Sequence, residues 1–297
     1  MKKDYKAIFE TMVQETQKYL ENNNLFAMIL GISGGLDSTV TAAICHEVEK
    51  RNPELKFYGI SLPCSSNTGE ENDSASLCMK AFCKSGQYWT ENLQKEYMLL
   101  RATFSQHHTM TTIGQGNIKA RLRMIYLYDL ANYTKGIVMD TDNLTEHYLG
   151  FFTIHGDVAD FNPIGGLWKH EVYELAKYLL YEYLIVQNDD VSYKQMALRA
   201  AIGITPTDGN GVNNLGDMGQ IAPEFAHDNN IEAYTKVDKI IQTYLDFIGR
   251  HTEDYQTAME ALYNKYGYDT VDGIIRRIRS TEYKRKRLPI VPDNLYF

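Results

Sequence analysis

Apolar residues recur at helical spacing through Asp4–Leu20, where Ile8, Met12, Val13, Tyr19 and Leu20 share a face, so the chain is predicted to open with an amphipathic helix. The asparagines at 22 to 24 end it. Leu25 to Ile32 is apolar without alternation, the pattern of a strand buried on both faces of a parallel sheet. The same reading predicts helices over Ser38–Lys50, Glu70–Phe82, Asn117–Tyr133 and Lys169–Tyr181. It predicts strands over Lys56–Leu62, stopped by Pro63, over Gly136–Thr141, and more weakly over Gly86–Thr90. Strands alternating with helices imply an α/β fold, a doubly wound parallel sheet with helices on both faces. Ligands in that architecture bind at the carboxyl ends of strands, where Gly31–Ser38 and Asp140–Glu146 both fall.

Past Thr205 the pattern changes, with four glycines and three asparagines in the sixteen residues to Gln220. A loop of this length is expected to be a functional lid, mobile over 207 to 220. From 231 to 280 the pattern is helical again, with Ile240, Ile241, Tyr244 and Leu245 on one face. No internal repeat or second domain is visible, so residues 1–297 are expected to form a single domain with a helical C-terminal extension.

Composition removes several classes. A hydrophobic content of 44% rules out disorder, and no apolar run reaches the ~18 residues of a membrane span, so a cytoplasmic protein is expected. Cys45, Cys64, Cys78 and Cys83 lack metal-ligand spacing and are expected to be reduced, buried thiols. The net charge of -8 argues against nucleic acid as a general partner, yet seven basic residues and one acid lie between Arg276 and Arg287. That local +6 leaves -14 elsewhere and suggests a discrete anionic ligand, a solvated charge run or a nucleic-acid tail being the alternatives.

The run Gly31-Ile32-Ser33-Gly34-Gly35-Leu36-Asp37-Ser38 admits two chemistries. Its first five residues fit the G-x-S-x-G elbow of serine hydrolases, but it follows the first strand, which leaves no earlier strand loop for oxyanion donors. As a phosphate cradle it uses more residues, since the unpaired N–H groups opening the next helix attract anions and the glycines permit close approach. Asp37 would repel phosphate unless a cation intervenes, which argues for Mg²⁺; the plainer alternative is a helix cap.

Ser33-Gly34-Gly35-Leu36-Asp37-Ser38 resembles the SGGxDS loop of the ATP pyrophosphatases, a superfamily that includes tRNA-modifying enzymes. Gly116–Met124, Thr141–Lys169, Pro206-Thr207 and Thr281–Pro289, in that order, resemble the ammonia-dependent NAD synthetases, and the likeness runs from about Gly31 to Pro289. It implies a ligase that uses ATP to adenylate the nicotinate carboxylate of deamido-NAD⁺, releases pyrophosphate, and lets ammonia displace AMP. By that resemblance Gly31, Ile32, Ser33, Gly34, Gly35, Leu36, Asp37 and Ser38 hold ATP together with Thr141, Lys169 and Thr207. Asp37 and Glu146 would ligate Mg²⁺, which usually takes few protein ligands and completes its shell with phosphate and water. Arg121, Asp160, Tyr283 and Lys284 match deamido-NAD⁺ contacts, and Asp157 and Lys169 are the catalytic candidates, Asp157 for positioning or deprotonating ammonium.

Arg123, two residues beyond Arg121, is expected on another face of its helix. Phe151 and Phe152 would either stack on a nicotinate ring or sit in the core. Ile154 stands where the family usually has a lysine, the stretch from Asp157 to Asp160 is one residue short, and Asp140 replaces a frequent glycine. The resemblance also implies a homodimer, which 22 tyrosines would suit, and leaves no room for a glutaminase, so ammonia would arrive free or from another protein.

Overall fold

The computed structural model describes residues 3–64, 67–186, 191–207, 216–248 and 252–286. Four strands, β1 (Ala27–Gly31), β2 (Lys56–Ser61), β3 (Tyr88–Thr90) and β4 (Gly136–Val138), form one parallel sheet in the order β3-β2-β1-β4. Burial on both faces follows from the side-chain period of two. Met28 and Leu30 enter one core with Val40, Ile44 and Val48, while Ala27 and Ile29 enter another with Ile60, Leu62 and Val138.

The first face is covered by α1 (Tyr5–Asn22), α2 (Leu36–Arg51) and α3 (Gly69–Phe82). The second is covered by α4 (Gln94–Phe104) and the long α5 (Thr112–Thr134). After β4 come α6 (Leu144–Leu149) and α7 (Lys169–Tyr178), which runs through a π-helical stretch, Leu179–Tyr183, into α8 (Leu184–Val186). Then follow α9 (Val191–Gly203), α10 (Met218–Ile221), α11 (Asn230–Phe247), α12 (Thr252–Tyr266) and α13 (Tyr268–Ser280). The larger core is contiguous from Phe9 to Ile278, so the C-terminal helices share it with the sheet layer. Among the described residues no helix is long and apolar enough to cross a membrane, and all four cysteines are free and buried.

The elements depart from the sequence pattern where side chains replace backbone pairing. The strand expected over Gly136–Thr141 stops at Val138, followed by one bridge from Met139 to Phe161. The Asp140 carboxylate then accepts from Asp142 N at 2.8 Å and Ala159 N at 3.1 Å, which turns the chain out of the sheet. The helical tail is divided, with Gly267 at φ +86 between α12 and α13. The expected lid falls largely on 208–215, outside the described residues.

β1 pairs with β2 on one side and β4 on the other, with Ile29 opposite Tyr58 and Val138. The switch point of the sheet therefore lies between β1 and β4, and the segments leaving their carboxyl ends emerge side by side. Gly34 has φ +88, and a Cβ there would come 2.5 Å from Glu71 O and 2.7 Å from Ala75 N, so α3 packs directly on the loop backbone. Gly34→Ala is expected to cost at least about 1–3 kcal/mol from the backbone conformation alone, whereas Gly69→Ala, which meets nothing, stays within about 0.5 kcal/mol. Urea denaturation of both variants measures the difference.

Candidate functional site

A cavity of about 450 Å³ opens over the carboxyl ends of β1, β2 and β4. The loop from β1 to α2 forms its floor. Gly35 is the N-cap of α2 and offers no side-chain cap, so the first-turn N–H groups of Leu36, Asp37 and Ser38 remain available to an anion. Ser33 Oγ accepts from Gly35 N at 3.2 Å and lies 3.1 Å from Ser38 Oγ. Among the described residues no imidazole bonds to Ser33, and the one histidine–carboxylate pair there, His170 with Asp238, is engaged with the start of α7, so nothing there supports the hydrolase elbow.

Asp37 does not cap its helix. Its Oδ1 accepts from Asn143 Nδ2 at 3.0 Å, and its Oδ2 accepts from Lys169 Nζ. The same ammonium donates to Glu146 Oε1 at 3.0 Å. Asn143 and Glu146 form a capping box at the start of α6, with Glu146 N on Asn143 Oδ1 and Asn143 N on Glu146 Oε2. Glu146 is therefore no loose loop acid; the box leaves one oxygen for the cation.

Burial, partly offset by Lys169 and reinforced by Asp37, pushes the Glu146 carboxyl up to about 8. Burial alone would lower the Lys169 ammonium, but the Asp37 and Glu146 carboxylates hold it well above its ordinary value. Under this centre Asp238, fully buried, accepts from Thr145 Oγ1, from His170 N at 3.0 Å and from His170 Nδ1 at 2.7 Å. Thr145 Oγ1 in turn accepts from Lys169 N at 2.9 Å, so one carboxylate from α11 pins the starts of both α6 and α7.

The remaining expected residues divide. Gly31, Ile32, Ser33, Gly35, Leu36, Asp37, Ser38, Thr141, Glu146, Asp157, Lys169, Thr207 and Lys284 line the cavity. Thr207 Oγ1 donates to Glu71 Oε1 at 2.5 Å, and Gly34 is covered by α3. Arg121, Asp160 and Tyr283 stay outside the lining. Arg121 is exposed and donates to Ile154 O at 3.2 Å; Asp160 accepts from Tyr128 OH at 2.7 Å and Val138 N at 3.2 Å; Tyr283 is 53% exposed. Arg123, expected to face elsewhere, enters the wall instead, because α5 turns its 120, 123, 124 and 127 face to the cavity.

Three members of the basic tail turn to the carbonyl end of α6. Lys284 donates to Gly150 O at 2.7 Å and Phe152 O at 2.6 Å, Arg277 to Leu149 O at 3.0 Å, and Arg285 to Tyr148 O at 2.7 Å. Phe151 and Phe152 line the cavity, under Arg277 at 3.9 Å and Lys284 at 5.1 Å respectively. Asp157 is exposed, but into a concavity whose walls withhold water, and this desolvation pushes its carboxyl up to about 6. Six acids and four bases line the cavity, and burial raises the carboxyls of three of the acids, Asp142, Glu146 and Asp157.

Among the described residues no group of three or more His, Cys, Asp or Glu side chains is set to hold a metal. Asp37 and Glu146 do converge on one cationic centre, which fits an ion that takes two protein carboxylates and completes its shell from a ligand.

A sheet of this order, with a glycine-rich anion cradle and two carboxylates at its switch point, defines an α/β nucleotide-binding protein. Residues 8–188 match the NAD synthase family model, and the chain belongs to that family. It is 36% identical over 178 residues to the NH3-dependent NAD⁺ synthetase of Campylobacter jejuni, covering 59% of this chain and 68% of that one. The corresponding protein of Helicobacter pylori is 35% identical over 182 residues, covering 60% and 66%. Two solved structures share the fold. An NMN synthetase from Francisella tularensis has TM-score 0.72 at 23% identity, and a C. jejuni NH3-dependent NAD synthetase has 0.66 at 24%; each covers 98% of this chain and 100% of its own.

Replacing Lys169 by methionine strands two carboxylates beside each other. The variant is expected to lose about 3–5 kcal/mol, with a smaller deficit at pH 5 than at pH 8 because protonation then relieves the repulsion. Denaturant titration at both pH values measures it, and an unchanged deficit would contradict the pairing.

Proposed function

We propose that the protein converts deamido-NAD⁺ to NAD⁺ with ammonia, consuming ATP and releasing AMP and pyrophosphate. The observation that carries this reading is the meeting of Asp37, at the start of α2, with Glu146, at the start of α6, over an uncapped helix N-terminus in a chain of the NAD synthase family.

A carboxylate is a poor electrophile, so amide formation needs it turned into a mixed anhydride first. The nicotinate carboxylate attacks the α-phosphorus of ATP, and ammonia then displaces AMP from the adenylate. In this scheme the N–H groups of α2 and the Ser33 and Ser38 hydroxyls bind the pyrophosphate portion, Thr141 and Thr207 contact the nucleotide, and Lys169 adds positive charge at the phosphates. Asp37 and Glu146 hold Mg²⁺, which when bound offsets phosphate charge and stabilises the leaving pyrophosphate. Asp157 positions ammonium and takes its proton.

Lys284 and the Phe151–Phe152 pair form the acceptor wall. Arg121, Asp160 and Tyr283 lie outside the lining, and in this reading they would meet the part of the dinucleotide that extends beyond the cavity. We further propose a homodimer. The neighbouring helices α4 and α5 leave the apolar side chains Leu99 and Ile125 exposed at 63% and 59%, which would suit contact with a second copy. An ATP-consuming reaction and four buried free thiols suit the cytoplasm.

Pure protein given ATP, Mg²⁺, ammonium and deamido-NAD⁺ is expected to yield NAD⁺, AMP and pyrophosphate in equal amounts by chromatography. Asp37→Ala and Glu146→Ala should abolish this, and no product from the folded parent protein would sink the reading. Asp157→Asn is expected to be at least ~100-fold slower at pH 8. Because the carboxyl must ionise to act, the parent rate rises as pH passes through about 6 and the variant lacks that limb. A parent-to-variant ratio that stays constant from pH 5 to 8 would reject the role. For the dimer, sedimentation should shift from two copies to one on Leu99→Asp with Ile125→Asp; a monomeric parent would refute it.

A further inference from the structure

Arg123 stands in the cavity wall between α5 and the end of β2. Its Nε donates to Leu62 O at 2.9 Å and its Nη2 to Asn67 Oδ1 at 3.1 Å. Two of the five N–H groups of the guanidinium are thus met, both by neutral acceptors. Among the described residues no carboxylate lies within ion-pair distance of it, and Nη1 has no hydrogen-bond partner. Taking a guanidinium out of water without a carboxylate is costly, and burial accordingly lowers its pKa even though Cys64, Asp157 and Glu71 act in the opposite direction.

The two hydrogen bonds fix the plane of the fork, so its open edge is oriented before any ligand arrives. The position also joins three walls. Asn67 precedes Thr68, the N-cap of α3, and α3 rests on the Gly34 backbone while Ser74 Oγ donates to Gly34 O at 2.7 Å. A group held by Arg123 is therefore tied mechanically to the β1–α2 loop. Arg121, by contrast, lies exposed outside the lining with its Nη2 on a main-chain oxygen.

We propose that Arg123 is an anion anchor of the cavity, receiving through Nη1 a phosphate or carboxylate oxygen of a bound nucleotide while Leu62 and Asn67 hold the fork. This rests on the reading that the cavity takes ATP and a pyridine nucleotide bearing a carboxylate. Leu62 O and Asn67 Oδ1 leave the outward edge of the guanidinium for an oxyanion, the partner this side chain suits best.

Calorimetric titration of the parent protein, Arg123→Ala and Arg123→Gln, separately with Mg²⁺·ATP and with deamido-NAD⁺, tests it alongside circular dichroism. Arg123→Gln removes the charge but keeps a donor for Leu62 O, so it decides the matter if the alanine variant does not fold. Both variants are expected to bind one of the two nucleotides about tenfold to a hundredfold more weakly, and the ligand affected identifies the source of the oxygen. If folded Arg123→Gln binds both within about twofold of the parent, Arg123 only braces the β2–α3 loop and the proposal is overturned. A parent protein that binds neither nucleotide would instead overturn the proposed function.

Discussion

The Lys169 ammonium joins chain segments 132 and 23 residues away, at Asp37 and Glu146, and the site is organised around that contact. A cation so buried is tolerable only because two carboxylates reach it, and each carboxylate is held by a second bond. Asn143 Nδ2 steadies Asp37, and the α6 capping box steadies Glu146. The backbone of Lys169 is fixed in turn through Thr145 to Asp238. These bonds tie the starts of α2, α6 and α7 together, and removing a partner from the buried ion pairs would leave a desolvated charge unmatched.

Charge also explains the C-terminal segment. A concentration of arginine and lysine next to the cavity invites the idea that all of it meets substrate. Three of these side chains, Arg277, Lys284 and Arg285, instead donate to carbonyl oxygens at and just beyond the end of α6, where helix geometry provides acceptors and the dipole favours cations. The effect on the site is indirect but firm, because Phe151 and Phe152 follow those carbonyls and are held against the cavity by the same side chains. Arg277 and Lys284 serve both structures at once, lining the cavity while anchoring the loop.

Asp140 shows how a departure from a family pattern acquires a physical meaning. With a side chain where glycine is frequent, the chain uses the carboxylate to collect Asp142 N and Ala159 N, bracing the segment that carries Asp157 and Asp160. Burial holds the Asp140 carboxyl above its ordinary value, and Asp140 is among the charges that raise Asp157. The loop's shape and the protonation of its exposed acid are thus linked through one buried residue.

From the order of residues alone came the parallel sheet, most of its helices and the glycine-rich loop after β1, while the pairing of Asp37 with Glu146 came from the family resemblance. The sheet, helices and loop are local or periodic features: uninterrupted apolar runs, helical spacing, and glycines at a turn. An Asn-x-x-Glu capping signal was equally present at 143 to 146 and would have placed Glu146 on a helix start. What the tertiary structure decided is which side chains share a partner. Lys169 lies between the two carboxylates, the tail cations turn to α6, and Arg123 enters the wall in place of Arg121. Each outcome depends on how far a helix is rotated about its axis and on which polar groups are left unpaired once the core closes, and neither is a property of any short stretch of chain.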